Sequence, residues 1–293
     1  MGIGLYTVEN VSKYSLYIVK VKNVILTTKT KYQEVQIIEL EEYGRALILD
    51  GYIQSAEADE YIYHETLVHP VMVTHPNPRR VLIIGGGEGA TLREVLKHGC
   101  VEEAVMVDID GELVELAKKY LDFMHQGAFS DPRAKVIISD GMKYVNECGS
   151  SVFDVVIIDL TDPYSSEIAK SLYTKEFYTD VKNILKEDGL IVTQAGNSFF
   201  YTDVYLYVLN NLKAVFPIIR EYWQWVPSFG YACNYIIGSL KYDPAEVGED
   251  KVDGVLRERG VRTKMYCGAH HIALFKEPIV HGRTVVRQLK SDS

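Results

Sequence analysis

Short runs of alternating apolar and polar residues fill the first part of the chain. The runs are rich in β-branched and aromatic residues, and Tyr43-Gly44 and Asp50-Gly51 separate two of them as typical turns. They predict strands at residues 14–21, 24–28, 33–40 and 45–50. Because such alternation indicates a sheet with one buried face, we expect a small antiparallel β-domain over residues 1–56.

A helix is predicted next, from residue 58 to about 73, where two prolines end it. Beyond residue 80, continuous apolar runs alternate with amphipathic stretches. These runs predict strands at 81–84, 104–107, 135–139, 155–158 and 190–193. Strands that are apolar on both sides indicate a parallel sheet covered by helices on both faces. With a closing antiparallel pair at 218–226 and 231–240, we expect an α/β domain over residues 57–293.

Composition narrows the function classes. The chain has 293 residues, 47% of them hydrophobic and 24% charged, which excludes a disordered or fibrous protein. Its net charge of −9 argues against a nucleic-acid partner and is compatible with cationic small molecules. The chain shows no secretory signal and no apolar run long enough for a membrane helix. We therefore expect a cytoplasmic protein without a membrane partner.

A glycine-rich segment, Gly85-Gly-Gly-Glu-Gly-Ala90, follows the first buried strand and opens a helix. It fits both a dinucleotide loop and the loop of proteins that bind adenosyl-sulfur compounds, and a plain tight turn is the alternative. Asp108 ends the next strand, where a carboxylate can bind both hydroxyls of a ribose. Asp140-Gly141 ends the third strand; it suits an adenine pocket or a simple helix cap. Glu88 argues against a dinucleotide, because a carboxylate would repel the pyrophosphate.

The strand at 155–158 runs into Asp159 and Asp162, which are followed by a proline. Because the carboxyl ends of parallel strands share one crevice, both side chains should face the cleft of Glu88, Asp108 and Asp140. Acids that converge in this way need a compensating cation. The cleft segments supply no paired histidines, so we expect no metal site and favour an organic polycation. Decarboxylated S-adenosylmethionine fits better than the ordinary form, whose carboxylate these acids would repel.

With these segments in view, the sequence resembles the spermidine synthase family, the polyamine aminopropyltransferases, along almost its whole length. The segments that carry the resemblance are Tyr32-Gln33-Glu34, Leu49-Asp50-Gly51-Tyr52-Ile53-Gln54, Asp59-Glu60-Tyr61-Ile62-Tyr63-His64-Glu65, His75-Pro76-Asn77-Pro78, residues 85–98, Val107-Asp108-Ile109-Asp110, residues 128–133, Asp140-Gly141 and residues 159–163. The resemblance implies a β-domain followed by a Rossmann-like domain of the methyltransferase type, assembled as a homodimer or homotetramer. It also implies that decarboxylated S-adenosylmethionine is a co-substrate and that no cofactor is permanently bound.

The resemblance implies roles position by position. Residues that match those holding the methylthioadenosine part of the donor are Gln33, Asp108, Asp140 and Gly141. Glu88 and Asp159 match the residues that bind the aminopropyl amine, and Asp159 also matches the proton acceptor. Positions that match the lining of the amine-acceptor channel are Tyr63, His64, Asp162, Gln194 and Phe229.

Three departures from the family pattern bear on the acceptor. Glu88 stands where putrescine-using members mostly have aspartate, and residues 159–163 read Asp-Leu-Thr-Asp-Pro instead of Asp-Ser-Ser-Asp-Pro. The loop at 164–167 lacks the usual Gly-Pro pair. These departures resemble thermospermine synthases and the agmatine- or triamine-using enzymes of thermophiles, so spermidine, agmatine and putrescine all stay open as acceptors.

Two other functions stay open from the residues alone. One is an S-adenosylmethionine-dependent methyltransferase on the same scaffold. The other is a non-catalytic polyamine-binding protein that has the acidic cleft but no turnover. A nicotinamide oxidoreductase is disfavoured by Glu88.

Overall fold

The computed structural model describes residues 4–162 and 170–282. Its first strands form an antiparallel sheet in which each strand pairs with the next along the chain. They are β1 (Leu5–Ser12), β2 (Ser15–Lys29), β3 (Glu34–Leu40), β4 (Gly44–Leu49) and β5 (Tyr52–Ala56). Between β4 and β5, Asp50 and Gly51 have φ angles of 49° and 84°, as a tight two-residue hairpin turn requires. The predicted antiparallel sheet is confirmed.

Two details of this sheet differ from the prediction. The runs at 14–21 and 24–28 belong to one strand, β2, because the polar interruption at Lys22-Asn23 is a bulge in the pairing with β3 and not a turn. A bulge inserts an extra residue and bends a strand without ending it. The prediction also omitted β1, half of whose residues are polar, and β5, which has only five residues.

In the part of the chain that the structure describes, a second sheet has the order β11-β12-β10-β9-β6-β7-β8. Its strands are β6 (Arg80–Gly85), β7 (Glu103–Asp108), β8 (Ala134–Ile138), β9 (Phe153–Asp159), β10 (Leu185–Gln194), β11 (Ile218–Val226) and β12 (Tyr231–Ser239). Strands β8, β7, β6, β9 and β10 are parallel, and β12 runs antiparallel to β10 and β11. The predicted Rossmann-like sheet with its antiparallel end is confirmed.

Helices cover both faces of this sheet. The described helices are α1 (Glu60–Thr74), α2 (Ala90–Leu96), α3 (Gly111–Tyr120), α4 (Asp122–His125), α5 (Gly141–Glu147), α6 (Lys175–Ile184), α7 (Thr202–Lys213), α8 (Glu249–Glu258) and α9 (Gly268–Lys276). On β6, Val81 and Ile83 pack in the core that contains α1, whereas Leu82 and Ile84 pack in the core that contains α6 and α7. Within the described ranges, no helix combines the length and the apolar character that crossing a bilayer requires.

Helix α1 is almost completely buried and carries Pro70 in its interior. Proline has no N–H, so the carbonyl of Thr66, one turn earlier, loses its usual partner in the helix. The hydroxyl of Tyr222 on β11 donates to that carbonyl at 3.1 Å. The sheet thus supplies the bond that the proline removes, and α1 is fixed against β11.

The two sheets meet across a shared core. Val35 and Ile37 of β3 pack against Leu113 and Ala117 of α3. This contact holds the antiparallel sheet beside the carboxyl ends of the parallel strands, where a cleft opens. The division into residues 1–56 and 57–293 stays a prediction.

Candidate active site

The cleft lies between the antiparallel sheet and the carboxyl ends of the parallel strands. It has about 1610 Å³ of unoccupied space, part of it open to solvent. The predicted site residues that line it are Gln33, Tyr63, Glu88, Asp108, Asp140, Gly141, Asp159, Asp162, Gln194 and Phe229. The fold therefore brings together every predicted site residue except His64. The loop at 164–167 lies outside the described residues.

The glycine-rich loop joins β6 to α2 and has positive φ at Gly85 (85°) and Gly86 (70°). A side chain at Gly85 would begin 2.1 Å from the carbonyl oxygen of Asp159, and Gly86 donates its N–H to that same oxygen at 2.9 Å. A side chain at Gly87 would begin 2.8 Å from the carboxylate of Asp108. The glycines therefore let this loop approach the ends of β7 and β9 closely.

Asp108 ends β7 with 9% of its surface exposed. Burial raises the pKa of its carboxyl to about 6, and the charges of Asp110, Glu88 and Asp159 act in the same direction. The backbone N–H of Asp110 donates to Asp108 Oδ1 at 2.8 Å. Burial among other acids makes this carboxylate a strong candidate for binding ligand hydroxyls.

Gln33 reaches the cleft from the antiparallel sheet. Its amide Nε2 donates to Asp110 Oδ2 at 2.8 Å, and Asp110 also caps α3 by accepting from the N–H of Leu113. Asp110 was not predicted as a site residue from the sequence. In the sequence, Asp110 could have been recognised as a helix cap from its position directly before α3.

Asp140 and Gly141 lie at the start of α5. Asp140 Oδ1 accepts from the N–H of Lys143 at 3.0 Å, so Asp140 is a helix cap as well as part of the cleft wall. A side chain at Gly141 would begin 2.7 Å from Ile84 Cγ2. This glycine is therefore required by packing against β6.

Asp159 ends β9, and two hydroxyls fix its carboxylate. Tyr63 Oη donates to Oδ1 at 2.8 Å, and Thr91 Oγ1 donates to Oδ2 at 2.6 Å. Burial and the charge of Glu88 raise the pKa of Asp159, although the charge of His64 and these two bonds lower it. Thr91 was not predicted as a site residue, because it follows the glycine-rich loop in the sequence and reaches Asp159 only through the fold.

Glu88 faces the cleft with 12% of its side chain exposed. Its Oε1 accepts from Ser55 Oγ and from His64 Nε2, each at 3.2 Å. His64 itself is completely buried and does not line the cleft. We therefore revise its predicted place in the acceptor channel: the side chain lies behind Glu88 because Glu60, one turn earlier on α1, holds its Nδ1 at 2.8 Å.

The other side of the cleft is partly aromatic. The ring of Phe229 lies 5.8 Å from that of Tyr63 and 5.7 Å from that of Tyr231, measured between centroids. Gln194 donates from Nε2 to the carbonyl of Leu160 at 2.7 Å, which fixes the amide at the end of β10. Tyr231, two residues after Phe229, also lines the cleft and was not predicted as a site residue.

The cleft is thus strongly acidic. The carboxylates that line it belong to Asp50, Glu88, Asp108, Asp140, Asp159 and Asp162. Within residues 4–162 and 170–282, no three histidine, cysteine, aspartate or glutamate side chains are arranged to hold a metal ion. The imidazole of His64 touches Glu88 from behind, and the open side of the cleft presents carboxylates, hydroxyls and aromatic rings.

Comparison with known families gives two matches that together span most of the chain. Residues 60–247 match the spermine/spermidine synthase domain. Residues 5–57 match the spermidine synthase tetramerisation domain.

Curated relatives agree with these matches. A polyamine aminopropyltransferase of Pyrobaculum aerophilum is 56% identical over 274 residues, covering 93% of this chain and 94% of that protein. Polyamine aminopropyltransferase 2 of Hyperthermus butylicus is 43% identical, with coverage of 98% and 93%.

Solved structures share the fold. A spermidine synthase in complex with the transition-state analogue AdoDATO has a TM-score of 0.88 at 34% identity, covering 98% of this chain and 95% of that one. The spermidine synthase of Thermotoga maritima has a TM-score of 0.85, also at 34% identity, with coverage of 98% and 94%.

Proposed function

Because this chain belongs to the spermine/spermidine synthase family, we propose that its cleft transfers the aminopropyl group of decarboxylated S-adenosylmethionine to an amine. The protein is an aminopropyltransferase, and decarboxylated S-adenosylmethionine is its co-substrate. The observation that carries the assignment of the site is the convergence of Glu88, Asp108 and Asp159 on one cleft. Such a cleft suits two cationic molecules, because carboxylates favour ammonium and sulfonium groups.

The donor is proposed to lie along the glycine-rich loop. Asp108 binds the ribose hydroxyls, and Gln33, Asp140 and Gly141 hold the rest of the methylthioadenosine part. This arrangement is supported by the position of these residues at the ends of neighbouring strands and on the facing sheet. Glu88, on this loop, and Asp159, which contacts Gly85 and Gly86, bind the ammonium of the aminopropyl group.

The acceptor is proposed to lie against the aromatic side of the cleft. The rings of Tyr63 and Phe229 contact its methylene chain, and Asp162 and Gln194 bind its polar groups. In support of this, all four residues line the same cavity as the donor residues. His64 acts through Glu88 in this proposal and does not contact the acceptor.

In the proposed reaction, an amine nitrogen attacks the aminopropyl carbon next to the sulfonium. The new C–N bond forms as the C–S bond breaks, and 5′-methylthioadenosine leaves with the electron pair on sulfur. An alkylammonium titrates near pH ~10, so freeing its lone pair at neutral pH costs about 4 kcal/mol. Asp159 accepts that proton, because its raised pKa makes it a stronger base than an ordinary carboxylate. The cleft also aligns nitrogen with carbon, which removes most of the entropic cost of a bimolecular step.

Product analysis tests this function. The enzyme is incubated with decarboxylated S-adenosylmethionine and, separately, with putrescine, agmatine, spermidine or norspermidine, and the products are chromatographed. We expect methylthioadenosine together with the aminopropylated form of the preferred amine. Tight polyamine binding without methylthioadenosine release from any of the four would instead support the non-catalytic alternative.

We also propose that the chain assembles as a homotetramer through the β1–β2 hairpin. The outer face of this hairpin carries exposed apolar side chains: Tyr6, Val8, Leu16 and Ile18. Val8 pairs with Ile18 in the register, so these residues form one patch. Exposed apolar patches of this kind mark contacts between proteins. The family segment at residues 5–57, described as a tetramerisation domain, supports the larger of the two predicted assemblies.

The domain division at residues 56 and 57 is part of the same proposal. Its support is that β5 ends at Ala56 and that the two family segments end and begin at residues 57 and 60. The cytoplasmic location expected from the sequence stays a prediction.

A further inference from the structure

Behind Glu88, a row of charged side chains runs from the cleft into the protein. It consists of Glu88, His64, Glu60, Arg93 and Glu94, and it joins the glycine-rich loop, α1 and α2. His64 and Glu94 are 0% exposed, Glu60 is 3% exposed and Arg93 is 6% exposed. Burying charges is costly unless each one is paired, so an array of this kind calls for a function.

Both ring nitrogens of His64 face carboxylates. Nδ1 lies 2.8 Å from Glu60 Oε2 and 2.8 Å from the backbone carbonyl oxygen of Glu60, and Nε2 lies 3.2 Å from Glu88 Oε1. A neutral imidazole has one N–H, so it can donate on only one of these two sides. Although burial lowers the pKa of His64, its bonds with Glu60 and Glu88 raise it to about 10. With a carboxylate oxygen at each ring nitrogen, the geometry favours the imidazolium.

Glu60 is fixed from its far side. Arg93 donates from Nη1 to Glu60 Oε1 at 3.1 Å and from Nη2 to Oε2 at 2.8 Å. Arg93 is itself held by Glu94 Oε1 at 2.8 Å and by the carbonyl of Met124. A two-pronged guanidinium–carboxylate pair fixes orientation as well as charge, so Glu60 presents Oε2 to His64 in one geometry.

The charged groups that face His64 are few. Glu60 faces it from α1, Glu88 from the glycine-rich loop, and Asp159 acts on it from the end of β9. Arg93 lies beyond Glu60.

We propose that Glu60 is a positioning residue for the donor site: held by Arg93, it keeps His64 doubly protonated, and His64 fixes the Glu88 carboxylate that receives the aminopropyl ammonium. This inference rests on the proposed role of Glu88. In this inference His64 orients Glu88 and does not bind the acceptor.

The variant Glu60→Gln keeps the shape of the side chain and removes its charge. We expect it to weaken binding of decarboxylated S-adenosylmethionine by roughly 10- to 100-fold, the range for losing a charged hydrogen bond in a buried site. Methylthioadenosine lacks the aminopropyl ammonium, so its affinity should change little. Calorimetry with the two ligands gives the ratio of donor affinity to methylthioadenosine affinity. Equal weakening of both, or of neither, would overturn the proposal.

The pH dependence supplies a readout that a purely structural role would not move. In the wild type, His64 stays charged from about pH 6 to about pH 9, given its high pKa. Without Glu60, burial lowers that pKa, and the imidazolium is lost as pH rises. Donor affinity of Glu60→Gln should therefore fall across this range more steeply than wild-type affinity. Parallel profiles would contradict the proposal.

Glu65→Gln is the matched control. Glu65 is on the same helix and is 0% exposed, but it accepts from the backbone N–H groups of Met265 and Tyr266, away from the cleft. We expect a loss of stability with an unchanged ratio of donor to methylthioadenosine affinity. If Glu65→Gln changes that ratio as Glu60→Gln does, the effect is general damage to α1 and the proposal fails.

Two further measurements separate the possible failures. If Glu88→Gln leaves the ratio of donor to methylthioadenosine affinity unchanged, the proposed role of Glu88 is wrong. If Glu88→Gln changes this ratio and Glu60→Gln does not, only the present inference about Glu60 is wrong.

Should Glu60→Gln not fold, the wild type can be tested directly. Nitrogen NMR of the histidine-labelled protein at about pH 8 should show an imidazolium signal that disappears in His64→Gln. A neutral ring there would refute the proposal.

Discussion

The hydroxyl of Tyr63 donates a hydrogen bond of 2.8 Å to Asp159 Oδ1, and so joins the first turn of α1 to the end of β9. The next residue of the same helix, His64, contacts Glu88. Helix α1 therefore holds both Asp159, the proposed base, and Glu88, which is proposed to bind the donor.

Replacing Asp159 with asparagine should remove most turnover and also weaken donor binding, because Asp159 is proposed both to accept the proton and to bind the aminopropyl ammonium. General-base catalysis contributes about 10²- to 10⁴-fold, so kcat should fall by roughly that factor. Single-turnover kinetics and donor calorimetry measure the two effects. Asp154→Asn on the same strand is the control, because Asp154 contacts Lys186 and not the cleft. A wild-type rate in Asp159→Asn would remove Asp159 from the mechanism.

Tyr63→Phe should shift the pH dependence of kcat. The bond from Tyr63 lowers the pKa of Asp159, so its loss raises that pKa further. Because the base acts in its ionised form, the acid limb of the profile should move to higher pH. The ring of Tyr63 and its contacts with Phe229 and Tyr235 are kept in this variant. An acid limb at the wild-type position would show that the hydroxyl does not tune the base.

Asp108→Asn should stabilise the ligand-free protein at neutral pH and weaken donor binding. The pKa of Asp108 is about 6 in the folded state and lower in the unfolded state, so its ionisation opposes folding. This cost is absent below about pH 4, grows as pH rises, and is complete above about pH 6, where it reaches roughly 1–3 kcal/mol.

Chemical denaturation at acidic and neutral pH checks this expectation. Asp108→Asn and the wild type should have similar stability at about pH 4 and differ at about pH 7.5. A variant less stable than the wild type at neutral pH would contradict the assigned direction.

Decarboxylated S-adenosylmethionine should bind more tightly than S-adenosylmethionine itself. The reason is that the carboxylate of the ordinary form would meet Glu88 and Asp159. Glu88→Gln should reduce the difference in affinity between the two compounds, because it removes one of the two charges that repel the carboxylate. Calorimetry with both compounds measures it, and tighter binding of the carboxylated donor to the wild type would favour a methyltransferase.

Ile18→Glu should dissociate the proposed tetramer. Ile18 is 56% exposed on the outer face of the β1–β2 hairpin, so a charge there would be buried by the contact. Light scattering should report a smaller particle. Ile138→Glu, which alters a side chain 53% exposed on β8, should leave the mass unchanged. An unchanged mass for Ile18→Glu would place the contact elsewhere.

The cleft could be predicted from the sequence because its acidic residues lie at or just after strand ends. Glu88, Asp108 and Asp159 each follow a buried apolar run, and parallel strands bring such positions to one edge. The antiparallel sheet was predicted with less detail, since the bulged β2 looks like two strands when only local alternation is considered.

What the sequence could not give is the pairing between distant side chains. Gln33 was predicted to hold the donor, but its bond to Asp110 depends on how the antiparallel sheet packs on α3. His64 was predicted to line the acceptor channel. Its neighbour Glu60, four residues earlier, was visible in the sequence; the second carboxylate, Glu88, came within reach only through the fold.

The carbonyl oxygen of Asp159 lies where the first atom of any side chain at residue 85 would stand. The loop and the strand end are therefore in direct backbone contact, and any side chain at residue 85 would displace the strand end. Substitutions at Phe229 and Tyr231, on the aromatic side of the cleft, leave this contact untouched. An engineer who wants a new product should keep the glycines and randomise the aromatic side.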